Sequence, residues 1–372
     1  DLDKYQEKCS ALQKYNITKK NIRKSFDKIS IVNIPYAGIS LDKYIENKYT
    51  ISKIIHLNKL LISLFKNAII PMNDFGVFHS DIKSSNILIN ESHKKIRFID
   101  WGLTVIHPQK YFVEIPSKWK NRPFQFNVPF EVILFTDDFV SKMNIFIETY
   151  DESNNNSRLL YIFINDYIYY WLNERGKGHL NYIHNIFIML GIIENNSQSQ
   201  SQSESESESE SESQSESQSE TFTNTKEKYI LNFKKYKETI NYITNYIVYI
   251  LVNFVEFNDN ASFTMMKFIN DVYKKKVDIW GFLITYIPII EILYHNKSSL
   301  DDGDKILFFS LKKIMIEYLY TPKVSMMNIK NIPKDLKKIN IVLRKFSKNE
   351  FQPLDKSSHI NSSIQETPPT IV

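Results

Sequence analysis

Two short stretches carry side chains whose types and spacing could do chemistry: His79-Ser-Asp-Ile-Lys-Ser-Ser-Asn-Ile-Leu-Ile89 and Phe98-Ile-Asp-Trp-Gly102. The chemistry they suit is phosphoryl transfer from ATP. That reaction asks little covalent help of a protein, which must position the reactants and neutralise phosphate charge. One carboxylate has to orient the attacking hydroxyl and accept its proton, and one cation has to meet the moving phosphoryl group. Hard oxygen ligands have to hold magnesium, which favours carboxylates and amide oxygens. Asp81, Lys83, Asn86 and Asp100 supply those groups. Taken singly, Asp81 or Asn86 is an ordinary turn residue and Lys83 a solvated charge. The set carries the reading.

The elements that must position these residues are legible on either side. From His56 to Met72 the apolar residues Leu57, Leu60, Leu61, Leu64, Phe65, Ala68 and Met72 share one helical face, and Pro71 is expected to kink the end. Ile87–Ile89 and Ile96–Ile99 read as strands joined by a polar turn at 90–94. Folded as a hairpin, they bring Asp100 across from Asn86, and Gly102 lets the backbone turn sharply after it. Upstream, Ile29–Ile34 reads as a strand ended by Pro35 and Gly38, and Ser40-Leu-Asp42 opens a short helix. Residues 103–135 lack periodicity and read as an ordered loop. Residues 140–190 and 226–275 read as largely helical, 277–294 as one apolar helix, and further helices follow to about 346.

These residues resemble a known family. His79-x-Asp81-x-Lys83-x-x-Asn86 with Asp100-x-Gly102 is similar to the catalytic and magnesium loops of eukaryotic-type serine/threonine protein kinases. The resemblance implies that Asp81 is the catalytic base and Lys83 the γ-phosphate contact. It makes Asn86 and Asp100 the magnesium ligands, with Lys83, Asn86 and Asp100 together holding Mg-ATP. Tyr36–Leu41 resembles the hinge that receives adenine, with 34–38 as the window. Val277-Asp-Ile-Trp-Gly281 resembles the start of the central helix, where Asp278 would accept the catalytic-loop amides. Asn127-Val-Pro-Phe-Glu131 resembles a degenerate Ala-Pro-Glu segment. Lys83, two residues after Asp81, favours serine/threonine transfer to a protein over small-molecule phosphotransfer. The implied fold class is α+β: a mainly helical kinase-like C-lobe with a short β-hairpin at the cleft.

The departures are specific. No Gly-x-Gly-x-x-Gly and no Val-Ala-Ile-Lys strand precedes the hinge, and residues 1–28 read as a polar, helix-like remnant. The expectation is that the N-lobe is mostly missing, lying upstream of Asp1 or lost. The alternative function is then a catalytically inactive interaction scaffold. Ser80 replaces the arginine that captures an activation-loop phosphate, and Trp101 replaces a phenylalanine and is expected to pack under the metal loop. Between the kinase-like parts at 29–135 and 277–346 lies an insertion, 136–276, expected to select a substrate or partner. Within it Arg175-Gly-Lys-Gly-His179 reads as a turn between helices, since it lacks the Gly-Lys-Ser/Thr ending of a phosphate loop. Residues 347–372 read as a flexible tail.

Composition bounds the rest. The 372 residues are 42% hydrophobic and 24% charged, within ordinary globular usage. Cys9 is the single cysteine, so no intramolecular disulfide can form, and no His-Glu-x-x-His zinc motif is present. The net charge is +5, but seven glutamates lie in the Ser/Gln/Glu tract at 197–220, leaving +12 on the remainder. That tract holds no apolar residue and is expected to stay unfolded. Lysines are scattered without an aromatic-interleaved stripe, so no nucleic-acid partner is expected. The expected partners are ATP and a protein substrate. No secretory signal is visible, and the uncharged run Thr239–Val255 holds three asparagines and reads as a buried amphipathic helix rather than a membrane span. An intracellular, cytoplasmic or virion-associated, setting is expected. The Ile/Asn/Lys/Tyr bias resembles proteins of large DNA viruses of amoebae or of AT-rich protists.

Overall fold

The computed structural model describes residues 10–28, 36–47, 49–92, 94–149, 156–194, 233–256, 262–322 and 328–346. The expected strand Ile29–Ile34, the tract at 197–220 and the tail at 347–372 lie outside the described residues. The chain divides into two units, Asp1–Gly38 and Ile39–Val372. In the first, a one-turn helix spans Ser10–Lys14 and a 3-10 segment spans Ile22–Lys28. The remaining elements belong to the second unit.

Strand β1 (Ile39–Ser40) leads into helix α1 (Leu41–Glu46), whose Leu41, Tyr44 and Ile45 are buried. Helix α2 (Ile51–Asp74) follows. The Thr50 side chain caps it by accepting from the Lys53 amide at 3.1 Å. Ile51, Ile54, Leu57, Leu61, Leu64 and Phe65 form its buried stripe. Pro71 has no N–H to give the carbonyl four residues back, and the helix accommodates it with a π-turn at Phe65–Ile69, where the Ile70 amide bonds to the Phe65 carbonyl. The expected irregularity therefore takes the form of a π-turn just before the proline. Gly76 then ends the helix at φ +73, and a side chain there would overlap the His107 carbonyl.

The strands are short, antiparallel and placed at the cleft. Strand β2 (Val77–Phe78) runs into the 79–86 loop, β3 (Ile87–Asn90) and β4 (Lys95–Phe98) form the expected hairpin, and β5 (Val105–Ile106) returns beside β2. Ile87 pairs with Phe98 and Ile89 with both Ile96 and Ile39, giving the order β1-β3-β4.

Helices α3 (Asp137–Glu148), α4 (Asn156–Arg175), α5 (Leu180–Met189) and α6 (Lys237–Leu251) lie among the described residues of 136–276. Residues 175–179 are the expected turn, with Gly176 and Gly178 both at positive φ and the His179 amide on the Phe124 carbonyl. Helix α6 buries Ile240, Ile243, Ile247, Ile250 and Leu251, matching the amphipathic reading. It is tied to α4 by Asn165 to Thr244 (3.0 Å) and Tyr161 to Asn241 (3.2 Å). A small hairpin, β6 (Val255–Glu256) with β7 (Ser262–Phe263), interrupts the expected helical stretch.

After Met265–Phe268 and a π-turn at Ile269–Tyr273 comes helix α7 (Lys274–Ile284), buried from Lys276 to Ile284. The expected single helix 277–294 breaks at Thr285–Tyr286. Pro288 cannot donate in the first turn of α8 (Ile287–His295), and the Thr285 hydroxyl takes up the Phe282 carbonyl at 2.6 Å. Helices α9 (Asp302–Met315) and α10 (Ile332–Leu343) complete the bundle. Asn58 of α2 stitches it together, donating to Leu336 (2.8 Å) and Asn340 (2.9 Å) and accepting from Tyr286 (2.7 Å). Two runs, Ile51–Asp74 and Met265–His295, are long and apolar enough to cross a membrane by length and composition alone. Half and 78% of their apolar windows, respectively, are packed inside the fold. The described chain is mainly helical with few short strands, as a kinase-like C-lobe would be.

Helix α7 lies directly against the 79–86 loop. A methyl group at Gly281 would come 2.6 Å from the Ile82 carbonyl and 2.8 Å from Ile82 Cβ. Gly281→Ala should therefore cost about 1–3 kcal/mol through overpacking. A urea midpoint lowered at unchanged slope would bear this out, and a parental midpoint would contradict the close approach.

Candidate functional site

The loop after β2 begins with two residues whose backbone amides are fixed from below. Asp278, wholly buried on α7, accepts the His79 amide at Oδ2 (2.9 Å) and the Ser80 amide at Oδ1 (2.8 Å). Asn73, with its amide nitrogen facing them, donates to the same Oδ2 (2.8 Å) and to the Val77 carbonyl (3.0 Å). Burial pushes the Asp278 carboxyl up to about 6, against the opposing pull of the two amide bonds and Arg122. Presenting two successive amides to one carboxylate puts Ser80 at φ +62, a conformation non-glycine residues adopt at a cost. Three further contacts hold it: its carbonyl accepts from Arg122 Nη1 (2.7 Å), its hydroxyl accepts from Trp119 Nε1 (2.8 Å), and that hydroxyl donates to the Phe78 carbonyl (3.3 Å).

His79 is structural, as expected. Its ring lies between Phe98 and Trp101, with centroids 5.4 and 4.7 Å away. Nδ1 accepts from the Asp81 amide (3.3 Å), so Nε2 is the protonated nitrogen and donates to the Ile99 carbonyl (3.0 Å). Burial pulls the imidazole below its ordinary value, partly offset by the Ile99 bond and the nearby Asp81 and Asp100.

Asp81, Lys83 and Asn86 come together. Asp81 Oδ2 accepts from Asn86 Nδ2 at 2.9 Å and faces Lys83 Nζ at 3.4 Å. The same Asn86 nitrogen also donates to the Asp81 carbonyl (2.9 Å), which leaves the Asn86 amide oxygen as the atom available to a ligand. Ser84–Asn86 form a single 3-10 turn that sets this spacing. Asp100 joins them through the backbone. The Ile99 amide donates to the Asn86 carbonyl at 3.0 Å, extending the β3–β4 register by one pair, so Asp100 starts one residue beyond the tie. Asp100 sits at φ +62, and its exposed carboxylate carries no hydrogen bond or ion pair among the described residues. By type, the Asp100 carboxylate and the Asn86 amide oxygen are hard-oxygen donors of the kind magnesium takes. Among the described residues no group of three or more His, Cys, Asp or Glu could hold a metal by itself.

Sequence reasoning missed three residues of this site. Asn127 Nδ2 donates to Asp81 Oδ1 at 2.8 Å and reaches the Ile82 carbonyl at 3.4 Å. Arg122 Nη2 stands 4.0 Å from Asp81 Oδ1, and Trp119 binds Ser80 as above. Unit charges 4 Å apart attract by about 4 kcal/mol at an effective dielectric of 20, although burying the ions offsets part of this. The available signal was arginine scarcity: the chain uses six arginines against 41 lysines. Glu131, already singled out, is wholly buried 3.7 Å from Lys276 Nζ at the start of α7. Trp101 corrects an expectation. It is 48% exposed and leans on the His79 and Phe98 rings rather than packing beneath the loop. Of the hinge window, 34–35 lie outside the described residues, and Tyr36–Gly38 fall in the first unit.

Comparison with known proteins gives partial likenesses, of which one is informative in detail. The chain is 29% identical over 117 residues to a protein of Encephalitozoon cuniculi (strain GB-M1) described as a probable casein kinase II subunit alpha homolog, across 29% of this chain and 35% of that protein. The chain thus spans about a third of the length of that relative. No protein-family profile matches the chain, and no solved structure matches it. The distant similarity supports a protein-kinase-like relationship.

The His79 geometry has a pH consequence. A depressed folded-state value means that the neutral ring stabilises the fold fully above pH 6.5, and that this contribution is lost as pH falls below it. Asp278, raised to about 6, works oppositely: its contribution is present below pH 3.8 and lost as pH rises toward 6. Comparison with His79→Gln isolates the histidine. The parent's advantage in urea midpoint should be larger at pH 7.5 than at pH 5. An advantage independent of pH would contradict the neutral, Nε2-protonated ring.

Proposed function

We propose that the chain is a protein-kinase-type phosphotransferase that moves the γ-phosphoryl group of ATP to a serine or threonine hydroxyl of a protein substrate. One observation carries the reading. Asp81 is held in a nearly buried position by Asn86 and Asn127, beside the Lys83 ammonium, while the Ile99–Asn86 backbone tie places Asp100 one residue beyond Asn86's strand partner, its carboxylate without a hydrogen bond or ion pair among the described residues. Four loosely related polar residues have no folding reason to converge in this way. The partial likeness to a casein kinase II alpha homolog points to the same class.

In this reading the substrate hydroxyl oxygen bonds to the γ-phosphorus as the bond to the β–γ bridging oxygen breaks, and ADP leaves with that electron pair. The hydroxyl proton passes to a carboxylate oxygen of Asp81, which its amide donors orient toward the acceptor. Lys83 Nζ neutralises charge on the transferring group. Asn86 and Asp100 would hold magnesium, which supplies positive charge to the phosphate tail. The exclusion of small-molecule acceptors rests on Lys83 and the kinase likeness.

Two carboxylate variants separate the roles. Asp100→Asn should lose metal-dependent nucleotide binding. Asp81→Asn should keep that binding within about twofold and lose turnover by about 100-fold or more, the scale of a general base with its orienting function. Calorimetric titration with Mg-ADP alongside a transfer assay reads both. Parental turnover in Asp81→Asn would reject the base assignment.

A further inference from the structure

We infer that Arg122 is a positioning residue for Asp81, gripping the loop from the chain segment that follows β5; the inference rests on the phosphotransfer reading above. Arg122 is buried, with 5% of its surface exposed. Nη1 donates to the Ser80 carbonyl at 2.7 Å, and Nη2 lies 4.0 Å from Asp81 Oδ1. Nε and Nη2 carry no hydrogen bond among the described residues, so the buried cation's nearest carboxylate is Asp81. Its placement is built from both sides in sequence. Asn121, at φ +57, ties its amide to the Phe135 carbonyl (3.1 Å), and Pro123 disfavours a helical backbone at Arg122.

The grip falls at the residue where the loop is most constrained. Ser80 spends its amide on Asp278 and its hydroxyl on Trp119 and Phe78, and its carbonyl is the remaining handle. Arg122 takes that handle and extends toward the next residue's carboxylate. A planar fork can span a carbonyl and a neighbouring carboxylate at once, whereas an ammonium acts as a point charge. That accounts for an arginine here in a chain that otherwise prefers lysine. Ser80, the position where the kinase pattern carries its own arginine, thus has a guanidinium brought to it from 42 residues away.

The test uses the full chain and its Arg122→Met and Arg122→Lys variants, assayed for Mg-ATP-dependent transfer to a generic basic protein, with melting temperature recorded for each. Arg122→Met should lower kcat by about 30-fold with KM for ATP unchanged within twofold, within the range seen when groups fixing catalytic geometry are lost. Arg122→Lys, which keeps a charge but not the fork, should recover part of that loss. If Arg122→Met does not fold, Arg122→Lys decides alone: reduced kcat at parental KM and melting temperature supports the inference. Parental kcat in either folded variant, or equal changes in kcat and KM that track melting temperature, would overturn it. An active parent with an indifferent Arg122 refutes this inference alone, whereas an inactive parent refutes the phosphotransfer reading and this inference with it.

Discussion

One buried carboxylate sets the geometry on which the rest of the site depends. Asp278 accepts two successive amides, those of His79 and Ser80, from a wholly buried position on α7. A carboxylate accepts each bond on its own oxygen, and an alanine would strand two buried donors at about 1–3 kcal/mol each. The pairing also decides the chain path. The two amides converge on one carboxylate with Ser80 in a left-handed backbone, and the Asp81 side chain that follows meets Lys83, Asn86 and Asn127. Gly281, one turn along the same helix, lets Ile82 settle against the helix backbone.

The opposite wall of the site is braced by side chains that imitate backbone. Asn270 accepts the Phe112 amide (2.8 Å) and donates to the Phe112 carbonyl (2.9 Å), much as a neighbouring strand would. Phe112, Trp119, Phe78 and Tyr273 pack ring against ring behind that clamp. From this support Trp119, Arg122 and Asn127 reach the 79–86 loop at three successive points. The segment 103–135 has almost no regular hydrogen bonding of its own, so its order comes from these tertiary contacts.

What was legible in the sequence was local. The β3–β4 hairpin announced itself through two β-branched runs and a polar turn, and with it the approach of Asp100 to Asn86. The stripe of α2 and the apolar face of α6 followed from helical periodicity. Asp278 as the amide acceptor was legible through family resemblance, because its side chain acts at a distance of 198 residues along the chain. Arg122 and Asn127 were not legible, since their partners lie 42 and 46 residues away and nothing in their neighbours' pattern points there. The break after α7 was overlooked because the apolar run continues through it, while Pro288 and the Thr285 hydroxyl interrupt the hydrogen-bond ladder. Trp101 was misplaced because size and apolarity suggest burial, whereas a position at a cleft lets a large ring lie half open over a histidine.

The central claim is that this loop, held from α7, assembles a magnesium-dependent phosphoryl-transfer site. Incubating the purified chain with ATP labelled at the γ-phosphorus and a generic protein acceptor tests it most directly. The account predicts label bound to serine or threonine when magnesium is present and none when it is chelated. Absence of transfer with magnesium, or label arriving equally without it, would contradict the account.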